Sequence, residues 1–175
     1  MYDPLISYIN SYSNTTLTSN ECELVKQAFK PKKLKRRQFF LQEGDVCKYF
    51  GFIIKGALRL YIVDRFAPSR YYIGACEDAD MLLITREKHI ELLDTCRSFD
   101  IMAKQLSVTR LIETERRVAA SISLSAEERY ADFATQYPDL LRRFPQYIIA
   151  NIGYERVNPL FQDEKIGHKK ATTLS

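Results

Sequence analysis

The sequence predicts an α+β fold in which helices flank a small antiparallel β-roll, and three observations support this. Before residue 30, apolar side chains recur at helical spacing in two separate segments. From about residue 34 to residue 84, short apolar runs alternate with glycine-bearing turns, which is typical of an antiparallel sandwich or barrel. From residue 99 to residue 124, apolar residues recur at intervals of three, four or seven. This last pattern predicts a long amphipathic helix, and shorter helices follow it.

The composition is that of a globular protein. The chain has 175 residues, of which 46% are hydrophobic and 27% charged, enough for one compact core and a small appendage. The first residues lack the basic start and apolar stretch of a signal peptide, and no run reaches the roughly 18 apolar residues of a membrane span. We therefore expect a cytoplasmic protein. The net charge of +4 permits nucleic-acid binding without requiring it.

Neither a metal site nor a catalytic site is predicted. The cysteines are widely spaced and form no Cys-x-x-Cys pair, so small buried thiols in a reducing compartment are the interpretation for Cys22, Cys47, Cys76 and Cys96. The two histidines, His89 and His168, have no second ligand-type residue at a suitable spacing. No glycine-rich phosphate loop or paired-carboxylate signature occurs, so we expect no enzyme, no catalytic residue and no metal.

Two helices are predicted before the strands begin. The first covers residues 5–12. The second begins with a capping box, in which Thr18 is the N-cap and Glu21 stands three residues later, so that each side chain closes an unsatisfied backbone N–H. This helix is expected to end before Pro31.

The middle region predicts five strands. Gly44 and Gly56 stand where the chain must reverse, and glycine accepts a positive φ at little cost. Thr85 is the expected N-cap of a helix over residues 86–96. The strands are expected at residues 39–42, 49–54, 57–63, 70–75 and 79–84.

The long helix, expected over residues 99–124, has an apolar stripe with polar flanks. Two parallel helices bury such a stripe in a common seam, whereas a single helix buries it against its own β-roll, and different faces can do both. The stripe consists of Ile101, Val108, Leu111, Val118 and Ile122. We place on the other face Gln105, Glu113, Glu115, Arg116 and Arg117.

Three short helices are predicted after the long one. The stretch Ser125 to Glu128 opens a helix over residues 127–137, and Pro138 ends it. Residues 139–144 and 146–152 form two more, with Pro145 at the start of the second.

This order of elements resembles the Crp/Fnr-type bacterial transcription regulators, which are built on the cyclic-nucleotide-binding fold. The resemblance covers residues 17–152 and is carried by the runs FLQEGD (40–45), FIIKGALRLY (52–61), PSRYYI (68–73), EDADMLLI (77–84) and LSAEERY (124–130). It implies a cyclic-nucleotide-binding-like roll with N-terminal helices at 1–97, a dimerisation helix at 98–124, and a helix-turn-helix-like DNA-binding region at 125–175. It also implies a homodimer whose interface is formed by the stripe of the long helix.

The resemblance implies a shortened ligand site. In the family, a longer stretch between the strands similar to 57–63 and 70–75 holds further strands and a phosphate-binding cassette with a Gly-Glu turn, a short helix and an arginine. Here only the six residues 64–69 separate the strands, and no Gly-Glu precedes Ser69 and Arg70. These two are the remnant of the anion site by resemblance, while a solvent-facing strand arginine is the alternative for Arg70. We expect no cyclic nucleotide as cofactor, and a roll with an exposed edge.

The DNA-reading end departs from the family pattern. Residues 145–153 fit the first helix and turn of a helix-turn-helix, but Pro159 follows in what would be the second turn of the recognition helix. A proline inside a helix costs about 3 kcal/mol, so we expect this helix to be damaged or absent. The candidates for residual DNA contact are Gln146, Tyr154, Arg156 and Asn158.

Two basic segments leave alternatives open. Residues 30–37 hold six basic side chains, which form either a nucleic-acid patch or the exposed entry to the first strand. The residues from Arg142 onward carry an excess of positive charge, which either holds phosphate loosely or belongs to a solvated terminus.

The sequence thus predicts a Crp/Fnr-type transcription regulator with impaired sensing and impaired sequence-specific DNA binding. Its effector, if any, is unknown. Two alternatives stay open: a dimerising protein-interaction module that pairs with intact relatives, and the product of a decayed regulator gene. A membrane partner is not expected.

Overall fold

The structure is a computed structural model that describes residues 1–42, 44–62 and 71–145. The elements in this part of the chain confirm the predicted α+β class. The helices are α1 (Asp3–Ser13), α2 (Ser19–Ala28), α3 (Arg86–Thr95), α4 (Arg97–Ser123), α5 (Ala126–Gln136) and α6 (Pro138–Arg143). The strands are β1 (Lys30–Leu34), β2 (Phe39–Leu41), β3 (Tyr49–Lys55), β4 (Leu58–Ile62), β5 (Tyr71–Ala75) and β6 (Ala79–Thr85).

The strands form two three-stranded antiparallel sheets. In the first sheet the strand order is β1-β6-β3, and in the second it is β2-β5-β4. Strands β4 and β5 pair along their whole length, from Leu58 opposite Ala75 to Ile62 opposite Tyr71. Because β2 and β3 are edge strands, their aromatic side chains remain partly open to solvent, with Phe39 41% and Phe50 52% exposed.

The central strand β6 faces two hydrophobic cores. Its alternate side chains Leu82 and Ile84 pack against the helices, in a cluster that includes Ile9, Val25 and Phe99. The intervening side chains Ala79 and Met81 of β6 face the second sheet. They pack with one residue each of β1, β3, β4 and β5, namely Leu34, Ile53, Leu58 and Ala75. A strand buried on both faces reads as a nearly continuous apolar run, as ADMLLIT does.

The predicted caps and turns are confirmed. Thr18 accepts a hydrogen bond from the Glu21 backbone N–H and completes the capping box of α2. Thr85 caps α3 through the Lys88 N–H. Gly44 and Gly56 both have positive φ, +81° and +98°. A Cβ at Gly56 would also lie 2.6 Å from the Asp78 carbonyl oxygen, so this turn packs directly on its neighbour.

The basic segment 30–37 contains a strand that the sequence interpretation missed. Residues Lys30–Leu34 form β1, which pairs antiparallel with β6, whereas the first strand was predicted at residue 39. The segment lacks the expected alternation because only Leu34 is buried. Pro31 is tolerated because β1 is an edge strand. Lys33 pairs with Asp80 at 3.6 Å, which gives part of the positive charge a partner within the sheet.

No helix among the described residues is both long enough and apolar enough to cross a membrane.

Candidate functional site

The predicted sensor residues lie outside the described part of the chain. Ser69 and Arg70 belong to the segment 63–70, and only the strands on either side of it are described. Those strands, β4 and β5, are direct neighbours in one sheet. The fold therefore places this segment as the connection between two paired antiparallel strands. The role of Arg70 as an anion-site remnant stays a prediction.

The predicted dimer stripe lies on α4 and is mostly exposed in the single chain. Val108, Leu111, Val118 and Ile122 are 58%, 60%, 53% and 82% exposed. Ile101 is half-buried, because the first turns of α4 pack against the body of the protein through Phe99 and Met102. Ile112, which the sequence interpretation omitted, is 60% exposed beside the stripe. A contiguous exposed apolar surface of this kind marks an interaction site.

The opposite face of α4 faces the rest of the chain, with Leu106 against the helical core and α5 beside the later turns. On that face Leu106, Glu113 and Ala120 are half-buried and follow one another at a spacing of seven residues. The Arg116 guanidinium lies 3.4 Å from the Asp132 carboxylate of α5, and its charge contributes to this helix pairing. The chain therefore uses one side of α4 internally and leaves the apolar stripe outward.

Glu115 lies in the stripe, which corrects its assignment to the polar face. It stands seven residues from both Val108 and Ile122, and side chains seven apart on a helix share one face. The Glu115 side chain is exposed and forms no hydrogen bond or ion pair with any described residue. The seven-residue spacing from Val108 and Ile122 is visible in the sequence and is sufficient to assign Glu115 to the stripe.

The C-terminal helices dock on one end of the roll. Leu140 of α6 and Phe144 are buried against Ala57 in the β3–β4 turn. Cys76, in the turn after β5, is half-buried in the same cluster, and its burial raises the pKa of the thiol. Arg143 forms an ion pair with Glu77 across this contact. Sequence reasoning did not find this docking, because the partners stand 66 residues apart.

The structure describes the predicted DNA-binding-like region only as far as Pro145. The predicted helix before it is present as α6, Pro138–Arg143. The candidate DNA contacts Gln146, Tyr154, Arg156 and Asn158 and the proline at 159 all lie outside the described residues. The prediction of a damaged recognition helix therefore remains a prediction.

Metal-type residues do not converge in the described ranges. No group of three or more His, Cys, Asp or Glu side chains there could hold an ion. All four cysteines lie in these ranges, and none forms a disulfide. His89 stacks on Phe50 with ring centroids 4.4 Å apart and meets the edge of Phe99 at 5.4 Å. Its contacts are those of a packed aromatic residue.

The fold defined by these elements is that of cyclic-nucleotide-binding domains and Crp/Fnr-type regulators. A cyclic nucleotide-binding domain from Methylobacillus flagellatus KT is 17% identical over 71% of this chain and 87% of its own, with a TM-score of 0.54. A CooA mutant from Carboxydothermus hydrogenoformans is 17% identical over 71% of this chain and 95% of its own, with a TM-score of 0.51.

A third structure with this fold is the c-di-GMP responsive global regulator CLP from Xanthomonas campestris. It is 15% identical over 74% of each chain, with a TM-score of 0.51. The first of these neighbours is a cyclic nucleotide-binding domain and the third is a global regulator. No protein-family model matches the sequence, and no curated protein sequence matches it. The resemblance seen in the sequence is thus supported at the level of the fold.

Proposed function

We propose that this chain is a cytoplasmic Crp/Fnr-type transcription regulator-like protein that dimerises through the apolar stripe of α4. The observation that carries the proposal is the stripe itself, which is exposed along a helix whose other side faces the rest of the chain. The proposal gives each region one role. The roll at 1–97 is the sensor-like domain, the long helix at 98–124 forms the dimer interface, and the region at 125–175 is the DNA-binding-like domain.

The sensing step is proposed to be impaired. In the family, the phosphate cassette occupies the segment between the strands that correspond to β4 and β5. Direct antiparallel pairing of β4 with β5 supports a short connection, and residues 64–69 are too few for a strand and a helical turn. Ser69 and Arg70 are then the remnant of an anion site that no longer holds a cyclic nucleotide.

The reading step is proposed to be impaired as well. Pro159 is incompatible with the second turn of a recognition helix, because it lacks the backbone N–H and clashes with the preceding turn. Gln146, Tyr154, Arg156 and Asn158 could then contact DNA phosphates, but such contacts carry no sequence information.

Dimerisation is tested by changing Leu111, at the middle of the stripe. Leu111→Asp places two carboxylates in the seam, and we expect the homodimer dissociation constant to rise by roughly a hundredfold or more. Sedimentation equilibrium measures this constant. Ile90→Asp is the matched control, because Ile90 is 49% exposed on α3, away from the stripe. Equal association of wild type and Leu111→Asp would contradict the proposal.

The proposed losses of cyclic-nucleotide binding and of sequence-specific DNA binding are tested by two measurements. Isothermal titration with cyclic AMP and cyclic GMP is expected to show no stoichiometric uptake. A titration against a duplex library at rising salt is expected to show only weak, salt-sensitive and sequence-independent binding. Tight cyclic-nucleotide binding that Arg70→Ala abolishes, or sequence-selective binding that resists salt, would overturn the impairment.

Two alternatives make different predictions. A module that pairs with intact relatives forms mixed dimers, which a pull-down after co-expression detects. A decayed gene product does not fold, so a cooperative thermal transition argues against it.

A further inference from the structure

A single carboxylate lies at the centre of the exposed stripe. Leu111 precedes Glu115 by four residues and Val118 follows it by three, while Val108 and Ile122 stand seven residues away on either side. The surrounding apolar side chains are more than half exposed, so Glu115 belongs to the surface that a partner helix would cover. Carboxylates are rarely fully buried without a partner, which makes this position unfavourable for an ordinary seam.

Pairing two copies of α4 brings the two Glu115 side chains together in either helix orientation. In a parallel pair each residue faces its own counterpart, so Glu115 faces Glu115. In an antiparallel pair centred on the exposed part of the stripe, the two-fold axis passes at residue 115, midway between Val108 and Ile122. A symmetric dimer that buries this exposed part therefore also places two like charges at its centre.

The flanks of the stripe hold no charge that could neutralise this pair. In the heptad that places Val108, Glu115 and Ile122 at equivalent positions, the two flanking rows consist of uncharged residues. One row is Ser107, Thr114 and Ser121, and the other is Ile112 and Ala119.

The basic side chains of α4 are placed elsewhere. Arg116 pairs with Asp132 of α5, and the Arg117 side chain donates to the Glu113 carbonyl oxygen. Lys104 lies 2.7 Å from Asp100, near the first turn of the helix. No basic residue of α4, Arg110 included, stands three or four residues from Glu115, the spacing at which side chains of one helix meet. A cation to balance Glu115 therefore comes from the partner helix.

We propose that Glu115 makes α4 prefer, over a second copy of itself, a partner helix that carries a lysine or arginine at the facing position. This rests on the proposed function, because it requires the stripe to be a pairing surface. The apolar residues supply the attraction, while the charge at the centre selects the partner. The chain then acts mainly through mixed dimers with a related long helix that has a basic residue in its seam.

The test compares wild type with two variants of the full chain by sedimentation equilibrium. Glu115→Gln removes the repulsion, and we expect the homodimer to become about tenfold tighter. Glu113→Gln is the matched control, because it removes the same charge two residues away on the opposite, half-buried face of α4, and it should leave the dissociation constant unchanged. Raising the salt should tighten wild type and leave Glu115→Gln nearly unaffected, since screening acts only on the charged pair.

Mixing wild type with Glu115→Lys tests the preference for a cationic partner directly. The Glu115→Lys protein is uniformly ¹⁵N-labelled so that the three dimers differ in mass. Native mass spectrometry of the mixture is then expected to show mixed dimers in at least roughly tenfold excess over the statistical proportion. Statistical mixing, or a Glu115→Gln homodimer no tighter than wild type, overturns the inference while leaving the Leu111→Asp result intact. Failure of Leu111→Asp to weaken association would instead overturn the pairing surface itself.

Discussion

His89 illustrates at the residue scale how packing sets a charge state. The imidazole stacks on the Phe50 ring and makes an edge contact with the Phe99 ring. Burial lowers the pKa of His89 below its ordinary value. The unfolded chain therefore binds a proton at this residue at a higher pH than the folded chain does. Stability is fully present above the unfolded pKa near 6.5 and is lost as the pH falls toward the folded pKa.

We expect the urea midpoint of the wild-type protein to be lower at pH 5.5 than at pH 7.5. His89→Gln should flatten this dependence, because glutamine does not titrate. His168→Gln, at the only other histidine of the chain, is the control and should retain the dependence. If the urea midpoint of His89→Gln depends on pH as strongly as that of wild type, another group governs stability in this pH range.

At the scale of elements, the parts that the sequence predicted are those governed by local rules. Periodicity located α1, α2 and α4, and hydroxyl N-caps located the starts of α2, α3 and α5. Strand β1 was missed because its neighbour β6, not its own pattern, determines it: four of its five residues are exposed. The pairing of sheets and the docking of α6 depend on contacts between distant residues, which one sequence without relatives does not reveal.

The capping box of α2 links this helix to the start of α4. The Glu21 carboxylate accepts the Thr18 backbone N–H at 2.9 Å through one oxygen, and the other oxygen lies 3.4 Å from the Ser98 hydroxyl. The bond from the Thr18 N–H is the main reason why the pKa of Glu21 is lowered. The Glu21 carboxylate thus connects the N-terminus of α2 to the junction between α3 and α4.

Removing the Thr18 hydroxyl tests this element. Thr18→Ala should lower the free energy of unfolding by about 1 kcal/mol, because the Glu21 backbone N–H loses its acceptor. Urea denaturation measures the change. Thr16→Ala, an exposed position in the preceding loop, should stay within about 0.5 kcal/mol of wild type. Equal effects of the two substitutions would mean that the cap contributes no specific stability.

At the scale of the whole molecule, the docked α6 connects the end of the chain to the roll. The contact combines the buried pair Leu140 and Phe144, the Ala57 turn and the ion pair between Arg143 and Glu77. Half-exposed ion pairs contribute little, so the apolar contact supplies most of the attraction and the charges fix its position. Whatever follows Pro145 therefore starts from the side of the roll that carries Cys76.

Cys76 reports whether this docking persists in solution, because its half-buried thiol packs in the cluster that contains Leu140 and Phe144. Arg143→Gln should raise the rate of iodoacetamide alkylation at Cys76 by roughly two- to fivefold, as expected for a weakened half-exposed ion pair. Peptide mapping by mass spectrometry measures each cysteine separately. The rate at Cys96, which is fully buried under the helices, should not change.

Arg142→Gln is the matched control, because Arg142 pairs with Asp139 within α6 and makes no ion pair with the roll among the described residues. It removes the same charge from the same helix and should leave the Cys76 rate as in wild type. If Arg142→Gln accelerates alkylation as much as Arg143→Gln does, the effect reflects the net charge of α6. The C-terminal helices would then be held by apolar packing alone, without a specific contact to Glu77.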